Sequence, residues 1–176
     1  YLSICACGKF LHRPSVMFVY HPCDDAMLSA LELEGNGWIL QPTRRRLGED
    51  IAEGMDELGA LLIGHERNAY WCGSQLTIEE ARRHVAYANA TTIQVTAGAI
   101  AAVLWAIRNQ RRGVVEPEDM DFEDCLETAL PYLGRMVGEF TEWTPLYGRG
   151  KYFPEKLDVQ SPWQLQNIRS RQWYGE

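Results

Sequence analysis

The stretch over residues 91–107 is the most apolar in the chain, and it constrains what the rest must do. It holds Gln94 and three threonines, and Arg108 follows at once. A membrane span needs about 20 predominantly apolar residues, so no span is expected, and the segment reads as a buried core helix over about residues 91–109. Such a helix needs other elements whose apolar faces close over it. Ala97, Gly98, Ala99, Ala101 and Ala102 give it a smooth surface that another backbone can approach closely. Tight packing inside the domain explains that surface; a subunit or domain interface is the alternative.

The neighbours of this helix read as a mixture of strands and helices. Residues 14–20 are rich in β-branched and aromatic side chains and read as a buried strand. His21-Pro22 ends it, because proline cannot donate to a ladder. Asp24 and Asp25 supply N-cap chemistry for a helix over residues 26–34, with Gly35 as its stop. Residues 37–41 read as another strand, and residues 43–50, with Arg44-Arg45-Arg46, as an exposed connection. Residues 53–63 and 68–72 predict a hairpin turning at Gly64-His65-Glu66-Arg67. Thr77, with Glu80 three residues on, is a capping box that opens a helix to about residue 87. A helix over 121–132, a strand over 136–144 and an irregular tail from Tyr147 complete the pattern. The fold class is α+β: a mixed, largely antiparallel sheet with packed helices. The 176 residues suffice for one domain and not comfortably for two.

Composition narrows the function. A hydrophobic share of 46% excludes a disordered chain, a collagen-like repeat and a coiled-coil rod. The formal net charge of −7 argues against a nucleic-acid groove, which needs clustered cations, and suits a cationic small substrate. The chain opens on Tyr1 with a strand-like run and no initiating Met, which points to a segment of a longer protein. No signal peptide is visible. Five irregularly spaced cysteines point to a reducing, cytoplasmic setting. There Asn89-Ala90-Thr91 is an accidental glycosylation match.

Several chemical motifs are missing from the sequence. It has no Gly-rich dinucleotide fingerprint after a strand, no Gly-Lys-Ser/Thr phosphate loop and no Gly-x-Ser-x-Gly elbow. Cys5-x-Cys7 with His21-x-Cys23 does not match the usual zinc spacing. Buried free thiols explain it better, and no metal is expected. Cys72 as a nucleophile has only His65 close in sequence. Asp56 and Glu57 stand at the entrance of an apolar strand between Gly54 and Gly59. They line a cleft that binds an ammonium group, or they form a solvated strand end; the residues alone favour the second. His65, Glu66, Asn68, Tyr70 and Trp71 suit a cation cage or a plain hairpin loop.

An ordered series of short motifs covers nearly the whole chain. It begins with Tyr20-His21-Pro22-Cys23-Asp24-Asp25-Ala26, Asp56-Glu57-Leu58-Gly59 and Asn68-Ala69-Tyr70-Trp71. Gly73-Ser74-Gln75-Leu76, Ile78-Glu79-Glu80, Asn89-Ala90-Thr91, Gln94-Val95 and Trp105-Ala106-Ile107 follow. Pro131-Tyr132-Leu133-Gly134, Trp143-Thr144-Pro145-Leu146 and Pro162-Trp163-Gln164 close it. This series resembles the bacterial homospermidine synthases, relatives of the saccharopine dehydrogenase-like proteins. The sequence departs from their pattern around residues 48–53 and at Arg44-Arg45-Arg46.

The resemblance implies a two-domain enzyme. An N-terminal Rossmann domain, absent from this chain, holds NAD. Residues 1–176 are then the C-terminal catalytic and dimerisation portion of a homodimer. NAD takes a hydride from putrescine to give an imine, ammonia leaves, a second amine exchanges in, and the stored hydride reduces the product to homospermidine. By the same resemblance Asp56 is a substrate-binding carboxylate near the substrate entrance, with Glu57 beside it. The family's main catalytic carboxylates and its cation-binding Trp fall upstream, so Trp71 is not that residue and no catalytic residue is assigned here. The rivals are a saccharopine or carboxynorspermidine dehydrogenase-type enzyme, and a non-catalytic polyamine-binding or dimerisation module.

Overall fold

The computed structural model describes residues 5–7, 10–12, 16–44, 46–151, 154–164 and 167–168, the first two stretches by backbone alone. The chain forms two compact units, Tyr1–Arg46 and Leu47–Glu176.

In the first unit β1 (Cys5–Cys7) pairs antiparallel with β2 (Phe10–His12). The helix α1 spans Asp24–Gly35. Its N-cap is Cys23, whose side chain makes no cap bond. Asp24 and Asp25 therefore act one step later than expected, inside the first turn, where the helix dipole favours negative charge. The stop also moves. Gly37, at φ 65°, takes the left-handed position, Gly37 N–H donates to Glu34 O at 3.0 Å, and Trp38 N–H donates to Leu33 O at 2.9 Å. Those two bonds close a Schellman turn, which needs its glycine at position 37 and not at 35.

The strands expected over 14–20 and 37–41 are not formed among the described residues; residues 14 and 15 lie outside them. A strand needs a neighbour to accept its ladder bonds. Among the described residues of this unit the sheet holds β1 and β2 alone.

The second unit carries the larger sheet. β3 (Met55–His65), β4 (Asn68–Thr77) and, after the helices, β5 (Arg135–Thr141) pair antiparallel in the order β3-β4-β5. The expected hairpin is present, with Glu66 and Arg67 as its loop and a register shift between Ile63 and His65. β4 runs five residues past Cys72, to Thr77. Gly73 does not break it, because Gly73 pairs with Gly59 and the Trp71 ring lies over both. A Cβ at Gly73 would sit 2.7 Å from Leu58 O and 2.9 Å from Trp71 Cζ2.

α2 (Ile78–His84) follows directly, and its capping box is complete. Glu80 N–H donates to Thr77 Oγ1 at 3.2 Å, and Thr77 N–H donates to Glu80 Oε2 at 3.1 Å. The helix ends three residues before the expected Tyr87, which adopts φ 65°. The Thr77 N–H and hydroxyl, helped by Arg83 and His84, hold the Glu80 carboxyl below its ordinary range. A carboxyl lowered by folding stabilises above its unfolded pKa, and that gain is lost as pH falls through the folded value. Thr77→Ala is expected to cost about 1 kcal/mol at pH 7. Wild type is expected to lose more stability below pH 4.5, the ordinary Glu value, than Glu80→Gln does. Urea unfolding from pH 7 to 3 checks both.

α3 (Ala90–Arg108) is the long apolar helix, capped by Asn89 Oδ1 accepting from Thr92 N–H at 2.7 Å. It has a mean hydropathy of 1.6 and is long and apolar enough to cross a membrane by length and composition. Here it packs in the core along one side. Ile93 joins Leu76 and Ala81, while Ala97 and Ala101 meet Ala129 of α4 (Phe122–Ala129). The small residues thus divide: Ala97 and Ala101 serve tight packing, while a Cβ at Gly98 would meet open space. The opposite side leaves Val95, Val103 and Ile107 each more than half exposed, so the buried core helix is buried on one side only. After α4 a single 3-10 turn, Leu130–Tyr132, leads into β5, which ends at Thr141, short of the expected 144. In the tail, Arg149 donates to Glu155 at 2.6 Å and to the Asn167 carbonyl. The fully buried Asn167 side chain ties Asp158, Ser161 and Pro162 together.

Candidate functional site

Asp56 and Glu57 open β3, and strand geometry sends consecutive side chains to opposite faces. Asp56 is opposite Leu76, which is 1% exposed and belongs to the core cluster under α3. Asp56 is therefore on the helix-covered face, half-buried, with no hydrogen-bond or ion-pair partner among the described residues. Glu57 is on the other face, exposed, and accepts from Gln75 Nε2 at 2.6 Å. The two carboxylates cannot clamp one ammonium group between them. The strand start is anchored, because Ile78 N–H at the head of α2 donates to Gly54 O at 3.0 Å.

The hairpin tip is a separate place. Asp56 and His65 are nine strand positions apart in β3, about 30 Å at the usual rise. At the tip the Arg67 guanidinium lies 3.6 Å from the Phe140 ring centroid, and Tyr70 packs on the same ring at 4.8 Å. Asn68 Nδ2 donates to Glu142 Oε2 at 2.6 Å. The expected cage is not assembled: Arg67 lies on Phe140, a ring outside the expected set, Tyr70 packs against that ring, and Trp71 lies over the glycine pair on the sheet. An open hollow of about 430 Å³ borders His65, Arg67 and Phe140. His65 Nδ1 accepts from Arg67 N–H at 3.1 Å, and its buried Nε2 has no partner among the described residues.

Cys72 and His65 do not form a dyad. Cys72 is opposite Ala60 while His65 is opposite Asn68, four positions and about 13 Å apart along β4. Among the described residues no group of three or more His, Cys, Asp or Glu converges on a metal site. The Cys5 and Cys7 side chains lie outside the described residues. Burial, with Asp124 and Asp121 nearby, pushes the Cys125 thiol up and makes it a poor nucleophile.

Among the described residues the starts of α1, α3 and α4 do not fit a dinucleotide. The first turn of α1 carries Asp24 and Asp25, which repel phosphate. The starts of α3 and α4 are already capped by Asn89 and Asp121. One polar feature escaped the sequence reading. Gln94, 2% exposed, donates through Nε2 to Ser74 Oγ at 2.9 Å and pins α3 to β4, while its Oε1 has no partner among the described residues. A single amide inside the most apolar stretch was the available signal.

Known proteins match nearly all of this chain. It is 48% identical over 166 residues to a homospermidine synthase of Blastochloris viridis, covering 94% of this chain and 35% of that protein. A homospermidine synthase of Mesorhizobium japonicum is 47% identical over 165 residues, covering 93% and 34%. The crystal structure of a homospermidine synthase from Legionella pneumophila in complex with NAD superposes with a TM-score of 0.85 at 46% identity, covering 96% of this chain and 37% of that one. The chain therefore spans about a third of the length of the relatives it matches. Residues 1–141 match the family described as Saccharopine dehydrogenase C-terminal domain. The chain belongs to the saccharopine dehydrogenase C-terminal domain family, as the C-terminal part of a homospermidine synthase homologue.

Proposed function

We propose that this chain is the C-terminal part of an NAD-dependent homospermidine synthase that makes homospermidine from putrescine by oxidation, imine exchange and reduction. The observation that carries the reading is the 48% identity to a homospermidine synthase over 94% of the chain. NAD belongs to the part of the protein outside these residues, because the helix starts here are acidic or already capped. This chain contributes the domain that completes the substrate cleft and, on this reading, a homodimer of the cytoplasmic enzyme.

The substrates are polycations, and a formal net charge of −7 raises their local concentration. Asp56 is the carboxylate for a terminal ammonium, since it sits half-buried on an anchored strand with its oxygens uncommitted. Glu57 offers a second, more solvated carboxylate on the opposite face, already shared with Gln75. Partial burial strengthens a charge-assisted contact relative to water.

The test is turnover. Full-length protein incubated with putrescine and a trace of NAD is expected to form homospermidine, read by mass spectrometry, with no net NAD consumption. The 176-residue chain alone is expected to be silent. Net NAD reduction with a different amine product would favour a related dehydrogenase. Amine binding with no turnover at any NAD level would favour the binding module.

A further inference from the structure

The buried side of α3 is apolar except for one amide, Gln94. Its Nε2 donates to Ser74 Oγ at 2.9 Å, and both residues are at most 3% exposed. Gln94 Oε1 has no partner among the described residues. A buried acceptor without a donor costs stability, and apolar groups of the same shape can replace such a pair with little or no loss. Core stability therefore does not explain the pair, and an unsatisfied buried group calls for another reason.

The hydrogen bonds lead towards the candidate site. Ser74 lies opposite Leu58, and Ser74 Oγ donates to Leu58 O at 3.4 Å, long for such a bond. The donors thus run from α3 through β4 into β3 and end at Leu58, two positions past Asp56. Two positions before Asp56, Gly54 O accepts from Ile78 N–H at 3.0 Å. Both ties lie outside the strand ladder, and Asp56 is midway between them. β3 is at the edge of its sheet, with β4 beside it on one side. The Asp56 carboxylate has no partner of its own among the described residues, so its backbone sets its aim. We propose that Ser74 and Gln94 are positioning residues for Asp56: the buried pair holds β3 so that the carboxylate meets the substrate ammonium in one place. This rests on the reading of Asp56 as the carboxylate for that ammonium. Precise placement is worth much in such a site, because a misplacement of about 1 Å can cost about 100-fold in rate.

The test uses the full-length protein carrying Ser74→Ala with Gln94→Met, which removes both polar groups and keeps their size. The urea midpoint is expected at or above that of wild type. Hydrogen exchange read by mass spectrometry is expected to be about tenfold faster over residues 55–58, with residues 70–72 of β4 unchanged, the mark of local loosening. The kcat/KM for putrescine is expected to fall about tenfold with Asp56 present, and less than about twofold when the same pair is replaced in Asp56→Asn protein. Unchanged exchange over residues 55–58 overturns the proposal. So does a lowered midpoint with faster exchange throughout the second unit, which makes the pair structural only. An equal loss of kcat/KM in both backgrounds also overturns it, because the pair then acts without Asp56. If wild type does not turn over putrescine, the substrate reading fails, and the exchange over residues 55–58 alone decides whether the pair holds Asp56 in place.

Discussion

Gly134→Ala is expected to cost the second unit about 2–5 kcal/mol. Gly134 precedes β5 at φ 74°, a left-handed conformation that costs an L-residue about 1–2 kcal/mol. Space makes it worse. A Cβ there would overlap the Gln75 carbonyl oxygen and lie 3.0 Å from Leu76 Cα. Both obstacles are backbone of the central strand, so no rotamer relieves them, and overpacking of this kind adds about 1–3 kcal/mol. The expected result is a lower urea midpoint with an unchanged slope. Gly98→Ala is the control, because its Cβ meets open space in the middle of α3. Helix propensity alone then predicts a gain of about 0.5–1 kcal/mol. If Gly134→Ala unfolds at the wild-type midpoint, β5 does not approach β4 as described.

What could be read in the sequence was what neighbouring residues decide among themselves. The Thr77–Glu80 box, the hairpin at residues 64–67 and the extent of α3 all depend on side chains within a few positions. Errors arose where a distant partner decides. The strand expected over 68–72 runs on to Thr77, because Gly59 lies opposite Gly73 with Trp71 over the pair. Residues 14–20 read as a buried strand because of their side chains, yet among the described residues 16–20 are exposed and pair with no strand. For the candidate site, the types of Asp56 and Glu57 were visible in sequence, but their environments were not. Only the register shows one carboxylate beside Leu76 at the core edge and the other bonded to Gln75 on the opposite face. The same register separates Cys72 from His65, which sequence proximity had brought together.

That asymmetry between the two carboxylates makes the functional prediction specific. In the full-length enzyme Asp56→Asn is expected to lower kcat/KM for putrescine by about tenfold to a hundredfold, the loss of a charge-assisted contact worth about 1.5–3 kcal/mol. The substitution keeps the shape of the side chain and removes only its charge. With no ion pair at Asp56 among the described residues to break, stability should stay within about 0.5 kcal/mol. If Asp56 holds the substrate equally in ground and transition states, the loss appears in KM with kcat unchanged. If it orients the amine only as the reaction proceeds, kcat falls as well. Glu57→Gln should fall short of either effect, because Glu57 is exposed and already engaged by Gln75, and solvent screens what remains. Steady-state kinetics of the two variants, with urea midpoints measured alongside, separate these outcomes. Equal and small effects from both would make the start of β3 a solvated strand end and move the amine-binding carboxylates to the other part of the protein.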